Sequence, residues 1–362
     1  MTLRLAVLAA IAGAITLAVP AEQAGRPALR AEPRWAEGAV DPAPAVTDEL
    51  LEKGERLYGW NCMPCHGAEG KGDGPVADRL ALRPRNYTRG LFKLKTSEGG
   101  ELPFDEDLYR TITSGIPASG MPSFRHFEPH ERWAQVEVVK SLAQQTREDG
   151  SILRHFERNP ARNRLRLPPR PERADEDRGA WLFRTGVQCA LCHGSRGKGD
   201  GSAAGALTDA VGRPVRVPDM TRGEVTFLAG ERPEDLYRVL TIGMPGSPMP
   251  SFAAIPERDR WDLASFVASL YEPIPAGERI FLRSGCLSCH TVGRGRLIGP
   301  DLAGVLKRRT HDWLRRWLQD PPRMLLDPAL KAEFKDYPTS MPNLNLSSDD
   351  IELLVQYLGS IR

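Results

Sequence analysis

Six cysteines are spread over 362 residues, and none stands alone. They form three pairs, Cys62/Cys65, Cys189/Cys192 and Cys286/Cys289, and a histidine follows each pair at once, as His66, His193 and His290. On a helical turn, residues i and i+3 share a face and i+4 stays beside it. Two thiols so placed can reach the two vinyl groups of one porphyrin while the imidazole meets its iron, which is the attachment pattern of a covalent c-type haem. Zinc would want four Cys or His donors, usually as two pairs close in sequence. Here the pairs lie about 100 residues apart, and three pairs do not divide into two-pair sites. A redox-active Cys-x-x-Cys gives no reason for histidine to follow every time. Disulfide staples are also disfavoured, because all six thiols sit in these pairs and none is left to bridge domains.

A second axial ligand is expected further along. Met121 follows His66 by 55 residues, Met249 follows His193 by 56, and Met341 follows His290 by 51; each precedes proline. A lone methionine usually fills a core; three at matching positions are read as iron ligands. Met244 rivals Met249, but alignment with Met121 favours Met249. His126 and His130 are expected at the surface, with displacement of Met121 from its iron as the alternative, and His155 and His311 are given no role. The expected cofactors are therefore three covalently bound haem c groups, one per Cys-x-x-Cys-His.

The elements that hold these residues recur. Asn61-Cys-Met-Pro-Cys-His-Gly-Ala-Glu-Gly-Lys-Gly-Asp-Gly74 returns as Gln188-Cys-Ala-Leu-Cys-His-Gly-Ser-Arg-Gly-Lys-Gly-Asp-Gly201, and Ser119-Gly-Met-Pro-Ser-Phe124 as Ser247-Pro-Met-Pro-Ser-Phe252. The third copy is more distant, with Ile298-Gly-Pro-Asp-Leu302 and Ser340-Met-Pro342. Each copy opens with a helical stretch in which glycine precedes an aromatic by four residues: Gly54/Tyr58, Gly179/Phe183, Gly277/Phe281. That spacing predicts a close helix crossing beside a ring. Each copy closes with an apolar-periodic helix, at 133–142, 261–270 and 351–358. Trp133 and Trp261 lie twelve residues after their methionines, whereas Leu353 takes that place in the third copy, so its packing must differ. Gly and Pro punctuate the loops between, with little strand-like alternation, so the fold class is all-α.

The expected organisation is an export signal at 1–21, a Pro/Ala-rich linker at 22–46 and a first domain at 47–146. An Arg/Pro-rich linker follows at 147–174, then domains at 175–272 and 273–362. Arg4, the apolar run Leu5 to Val19 and Val19-Pro20-Ala21 make the signal. Its run is short for a membrane span, which takes about 20 residues. The expected location is a periplasm or the cell exterior, with an uncleaved N-terminal anchor as the competing reading. The second linker holds eight Arg and four acidic residues in 147–173 and reads mostly as a solvated connector. A net charge of +2 gives no reason to expect nucleic-acid binding. The first two domains carry 13 basic against 15 acidic and 11 against 14 residues, whereas the third carries 13 against 10. Lys307, Arg308, Arg309, Arg315 and Arg316 cluster in that third domain, as a solvated face or a docking surface for an acidic redox partner.

On these residues each domain resembles the class I c-type cytochrome family, over about 47–146 and 175–362. The resemblance implies three tandem helical bundles, each wrapped around one covalent haem. Gly299-Pro300-Asp301-Leu302 matches the family's loop after the haem, where a proline carbonyl orients the ligand histidine. That role passes to Pro300 and to Pro75, while Ser202 leaves the second domain without it. His311-Asp-Trp-Leu-Arg-Arg-Trp-Leu318 is similar to the family's middle helix, whose aromatics wall the haem.

His/Met ligation closes both axial positions and raises the potential relative to bis-histidine ligation. The expected function is a single-electron relay between a redox donor and acceptor, as a shuttle or as a subunit of a membrane-bound respiratory or photosynthetic complex, with no small-molecule substrate. The alternative is a haem enzyme of the dihaem-peroxidase kind in which one methionine leaves its iron. A redox sensor is a third reading, for which no signalling domain is present.

Overall fold

The computed structural model describes residues 39–361 apart from 81, 117–118, 223–228, 273 and 338–340. The segment expected to be an export signal, and the expected linker as far as residue 38, lie outside the described residues. What is described is all-α, in three tandem helical units with a core each. Among the described residues no helix is long and apolar enough to cross a membrane.

Unit one is built from helices Asp48–Asn61, Met63–His66, Asp105–Ser114 and Pro129–Leu142. Thr47 starts the first by accepting the Leu50 N–H on its hydroxyl at 3.2 Å. Unit two repeats the plan with Glu176–Trp181, Ala190–His193, Pro233–Ile242 and Glu257–Ser269. Two more residues separate Phe183 from Cys189 than Tyr58 from Cys62. A π-helical turn at Leu182–Gly186 begins the detour that absorbs them. Unit three runs Ala276–Arg283, a tight turn Cys286–Ser288, His311–Gln319 and Ser348–Ser360, with two short helices, Pro321–Met324 and Pro328–Glu333, between the last two.

The first and last helices of each unit cross at the expected glycine. A Cβ on Gly54 would stand 2.8 Å from the Ala134 carbonyl oxygen, and one on Gly179 or Gly277 would run into the carbonyl of Asp262 or Leu353. Behind the crossing, Tyr109 stacks on Trp133 at 4.6 Å and Tyr237 on Trp261 at 4.3 Å. Arg132 and Arg260 lie over the tyrosine rings, each 4.8 Å from the centroid. These residues also donate alike, Arg132 to the Thr113 hydroxyl and Arg260 to that of Thr241.

Unit three does differ at this point. The crossing pairs Gly277 with Leu353 where the other units use Ala134 and Asp262, so the tryptophan position falls on Glu352. Leu353 is 37% exposed, and Glu352 instead holds Arg315 at 2.5 and 3.0 Å. Counting twelve residues from the methionine overshoots by one, because the loop after Met341 reaches its helix sooner.

The Arg/Pro-rich segment keeps its arginines exposed, as a solvated connector would, but it is also anchored to the units it joins. It opens with an antiparallel hairpin, Gln144–Thr146 with Ile152–Arg154. Phe156 packs on the core of unit one and Leu167 is buried in that of unit two. Arg164 donates to the Thr96 hydroxyl at 2.6 Å and covers the Phe104 ring, while the Leu165 N–H reaches the Thr96 carbonyl. Arg164 thus stitches the segment to unit one, and Arg170 pairs with Glu234 of unit two.

Unit one touches both neighbours. Gly120, in its methionine loop, sits against Leu287 and Ser288 of unit three. Gly246, in the methionine loop of unit two, sits against Arg85 and Leu91 of unit one. Arg222 pairs with Glu278 across the remaining junction.

Candidate haem sites

In unit one the attachment residues lie on the short helix Met63–His66 and the turn before it. The His66 N–H returns to the Cys62 carbonyl at 2.8 Å, so Cys62, Cys65 and His66 share one helical turn. The Gly-Lys-Gly-Asp-Gly run folds back onto that turn: Gly72 donates to the His66 carbonyl at 2.8 Å and Gly74 to that of Cys65 at 3.2 Å. Gly72 has φ +71, and a Cβ there would collide with the Pro84 carbonyl, so glycine is required. Gly199 donates to the His193 carbonyl in the same way.

A cavity of about 640 Å3 opens beside this turn, and Cys62, Cys65, His66 and Met121 all line it. Its size suits a cofactor pocket. In unit two, Cys189 and Met249 pack against one core, and the His193 ring lies 6.4 Å from that of the core residue Phe183. The Met244 N–H bonds the Met249 carbonyl just as the Ile116 N–H bonds that of Met121. Met249 therefore occupies the place of Met121, and its rival Met244 that of Ile116. In unit three, Cys286 and Met341 pack against the third core. Trp317, stacked on Trp313 at 5.0 Å, donates its indole N–H to the Met341 sulfur at 3.1 Å.

The histidine supports differ between units. His290 Nδ1 lies 2.8 Å from the Pro300 carbonyl, as the resemblance implied. A Cβ on Gly299 would stand 2.5 Å from the His290 ring, so glycine lets that carbonyl come close. Pro75 occupies the matching place but not the role. His66 Nδ1 meets the Arg85 carbonyl at 3.3 Å, because the glycine loop closes on Pro84–Tyr87 and brings that segment to the ring. His193 Nδ1 is buried without a partner among the described residues.

Burial sets the protonation of these groups. It pushes His66 and His193 down to about 4 and lowers His290, so all three imidazoles are neutral near pH 7. It also pushes the Cys62 and Cys286 thiols up to about 12 and those of Cys65 and Cys189 to about 11; Cys289 is raised too. Neutral imidazole can bind iron, whereas buried thiols are poor metal ligands and poor redox nucleophiles until they lose their protons. Among the described residues no three His, Cys, Asp or Glu side chains gather as a metal-ion site. The donor set and the cavity thus fit covalent haem better than zinc.

His126 and His130 are exposed, with His130 beside Lys53 at 2.9 Å. His155 joins the linker to unit one through the Thr88 carbonyl at 2.9 Å. Three residues went unforeseen. Tyr87 stacks on His66 at 4.8 Å, and Arg85 and Lys93 line the cavity. The recurrence of Tyr87-Thr-Arg89 as Met220-Thr-Arg222 was a usable signal for the first.

The family described as "Cytochrome C oxidase, cbb3-type, subunit III" matches residues 49–137 and 174–267, and that described as "Cytochrome c" matches 274–362. Among solved structures the chain is similar to one from the Kuenenia stuttgartiensis reducing HAO-like protein complex, at 33% identity and TM-score 0.57, over 64% of this chain and 100% of that one. It is also similar to the cytochrome c domain of a Pseudomonas putida protein, at 43% identity and TM-score 0.22, over 23% of this chain and 85% of that one. No curated protein matches.

Proposed function

We propose a relay of single electrons for this chain, which belongs to the cytochrome c family. One haem c would be held by each unit: through Cys62, Cys65, His66 and Met121, through Cys189, Cys192, His193 and Met249, and through Cys286, Cys289, His290 and Met341. The observation that carries this is the first cavity, where the two thiols, the imidazole and the thioether of one unit converge on one space. When bound, the haem would supply one-electron chemistry at its iron, and a histidine and a methionine of each unit would hold it, leaving no place for a substrate. The chain does the rest. The glycine loops fix the attachment turn, the Pro300 and Arg85 carbonyls orient two imidazoles, and the apolar cores exclude water. A rigid, dry pocket needs little rearrangement when its cofactor gains or loses charge.

A haem enzyme would need a unit without a distal ligand, and Met249 stands where Met121 does. Redox proteins would be the partners, in the periplasm, and the likeness to a chain of a reducing HAO-like complex supports work as a complex subunit as well as a free shuttle. The test is the ferric spectrum of the matured protein. Low-spin haem throughout, with no rapid cyanide binding, is expected; a high-spin component would favour the enzyme.

A further inference from the structure

The cavity of unit one is walled in part by unit two. Asp209 to Val211 and Arg213 to Arg216, with Gly246 and Ser247, line it alongside the first unit's own residues. The segment that does this has no counterpart in the first repeat. Leu80 and Leu207 both end a short 3-10 turn, and the Tyr87 and Met220 N–H groups both return to the matching glycine carbonyls, of Gly70 and Gly197. Between these anchors unit one spends seven positions, Leu80 to Tyr87, and unit two thirteen, Leu207 to Met220. The six extra residues form a loop closed by a bridge between Thr208 and Pro214 and by the Asp209 N–H on the Arg213 carbonyl. Asp209 also accepts from the Val211 and Arg213 N–H groups, so the loop is a built element.

Its charge meets charge in the cavity. Arg85 and Lys93 line the space, and neither donates a hydrogen bond nor forms an ion pair among the described residues. Burial lowers the pKa of both, and Asp209 lies close enough to oppose that in each. Arg213, paired with Asp209 at 3.2 Å, faces the same space. Unpaired cations at the wall of an apolar cavity are costly unless an anion joins them. A haem carries such groups, its two carboxylates.

We propose that the inserted loop of unit two is a wall of unit one's site, and that Arg213 joins Arg85 and Lys93 in receiving the acidic edge of unit one's cofactor, so that the second unit sets the potential of the first. This rests on the haem assignment above. The test is a spectroelectrochemical titration of the full-length holoprotein. Met121→His, which lowers one wave, marks the first unit's wave, and Met249→His marks the second's. Removing a nearby cation stabilises the ferric state, so Arg213→Gln shifts the first unit's wave to lower potential. Asp209→Asn, which removes the anion and leaves the cation, shifts it to higher potential, and Arg213→Lys returns it towards the parent. The second unit's wave stays in place throughout. A first wave that does not move, that moves the same way in all three variants, or that stays while the second moves, overturns the proposal. Parent protein with no haem waves overturns the relay itself, so the two failures are told apart.

Discussion

Each attachment histidine is buried enough to be neutral, and what reaches its second nitrogen differs from unit to unit. This matters because a carbonyl on Nδ1 fixes the tautomer and ring orientation that present Nε2 to a metal. The methionines carry the complementary prediction. Met341→Ala should remove the sulfur-to-iron charge-transfer band of one haem and leave those of the other two; an unchanged near-infrared spectrum would mean that Met341 is not a ligand. Asp301, beside Pro300, makes a pH prediction. The N–H groups of Gly293, Ala303 and Gly295, with the Thr291 hydroxyl, hold its carboxylate well below the usual range. Its folded pKa is thus depressed, so its stabilisation is complete above the unfolded value of about 3.9 and disappears as pH falls through that value and below it. Acid denaturation of wild type against Asp301→Asn measures this: the difference in stability should be constant near neutrality and shrink below about pH 4. A difference that is undiminished at pH 2 would place the carboxylate's contribution elsewhere.

Helix crossings are what hold each attachment turn against its core. Gly179→Val forces a side chain into the Asp262 carbonyl and the Phe266 side chain. It should destabilise unit two by about 1–3 kcal/mol or more, read as a lower denaturation midpoint for that unit; Gly59→Ala, inside a helix where a Cβ meets nothing within 4 Å, is the control expected to be neutral or stabilising. The crossings were legible because a glycine four residues before an aromatic states two requirements, close approach and a ring, on one face. The Met-Pro loops were legible for a similar reason, since Met121 and Met249 sit in nearly identical hexapeptides. Position counting failed where loop paths differ, at Glu352 and Leu353 and again at Pro75, because a histidine's second partner depends on which backbone segment folds over it. The wall formed by residues 208–214 was hidden for a stronger reason. An insertion's length can be read in the sequence, but the unit it leans on is a tertiary fact.

Across the whole chain the charges are more committed than the count of basic residues implied. Arg308 donates to the Asp301 and Ala303 carbonyls, Arg309 pairs with Glu333, and Arg315 with Glu352 and Asp312, so much of the cluster expected as a solvated or docking face in unit three is engaged, at the surface, by groups of its own unit. Lys307, Arg308 and Arg316 are exposed. The connector is committed as well. Arg164→Ala removes its bond to Thr96 and its cover on Phe104, and should make the segment 158–170 a new site of limited proteolysis; an unchanged digestion pattern would show that the remaining contacts suffice. Above all, three units with a full set of cofactor-holding side chains should mean three cofactors. The most direct measurement combines the intact mass of protein from a host that matures c-type cytochromes with its alkaline pyridine haemochrome spectrum. Three thioether-linked haems per chain are expected, whereas a mass with fewer, or a spectrum of haem with free vinyl groups, would contradict the assignment.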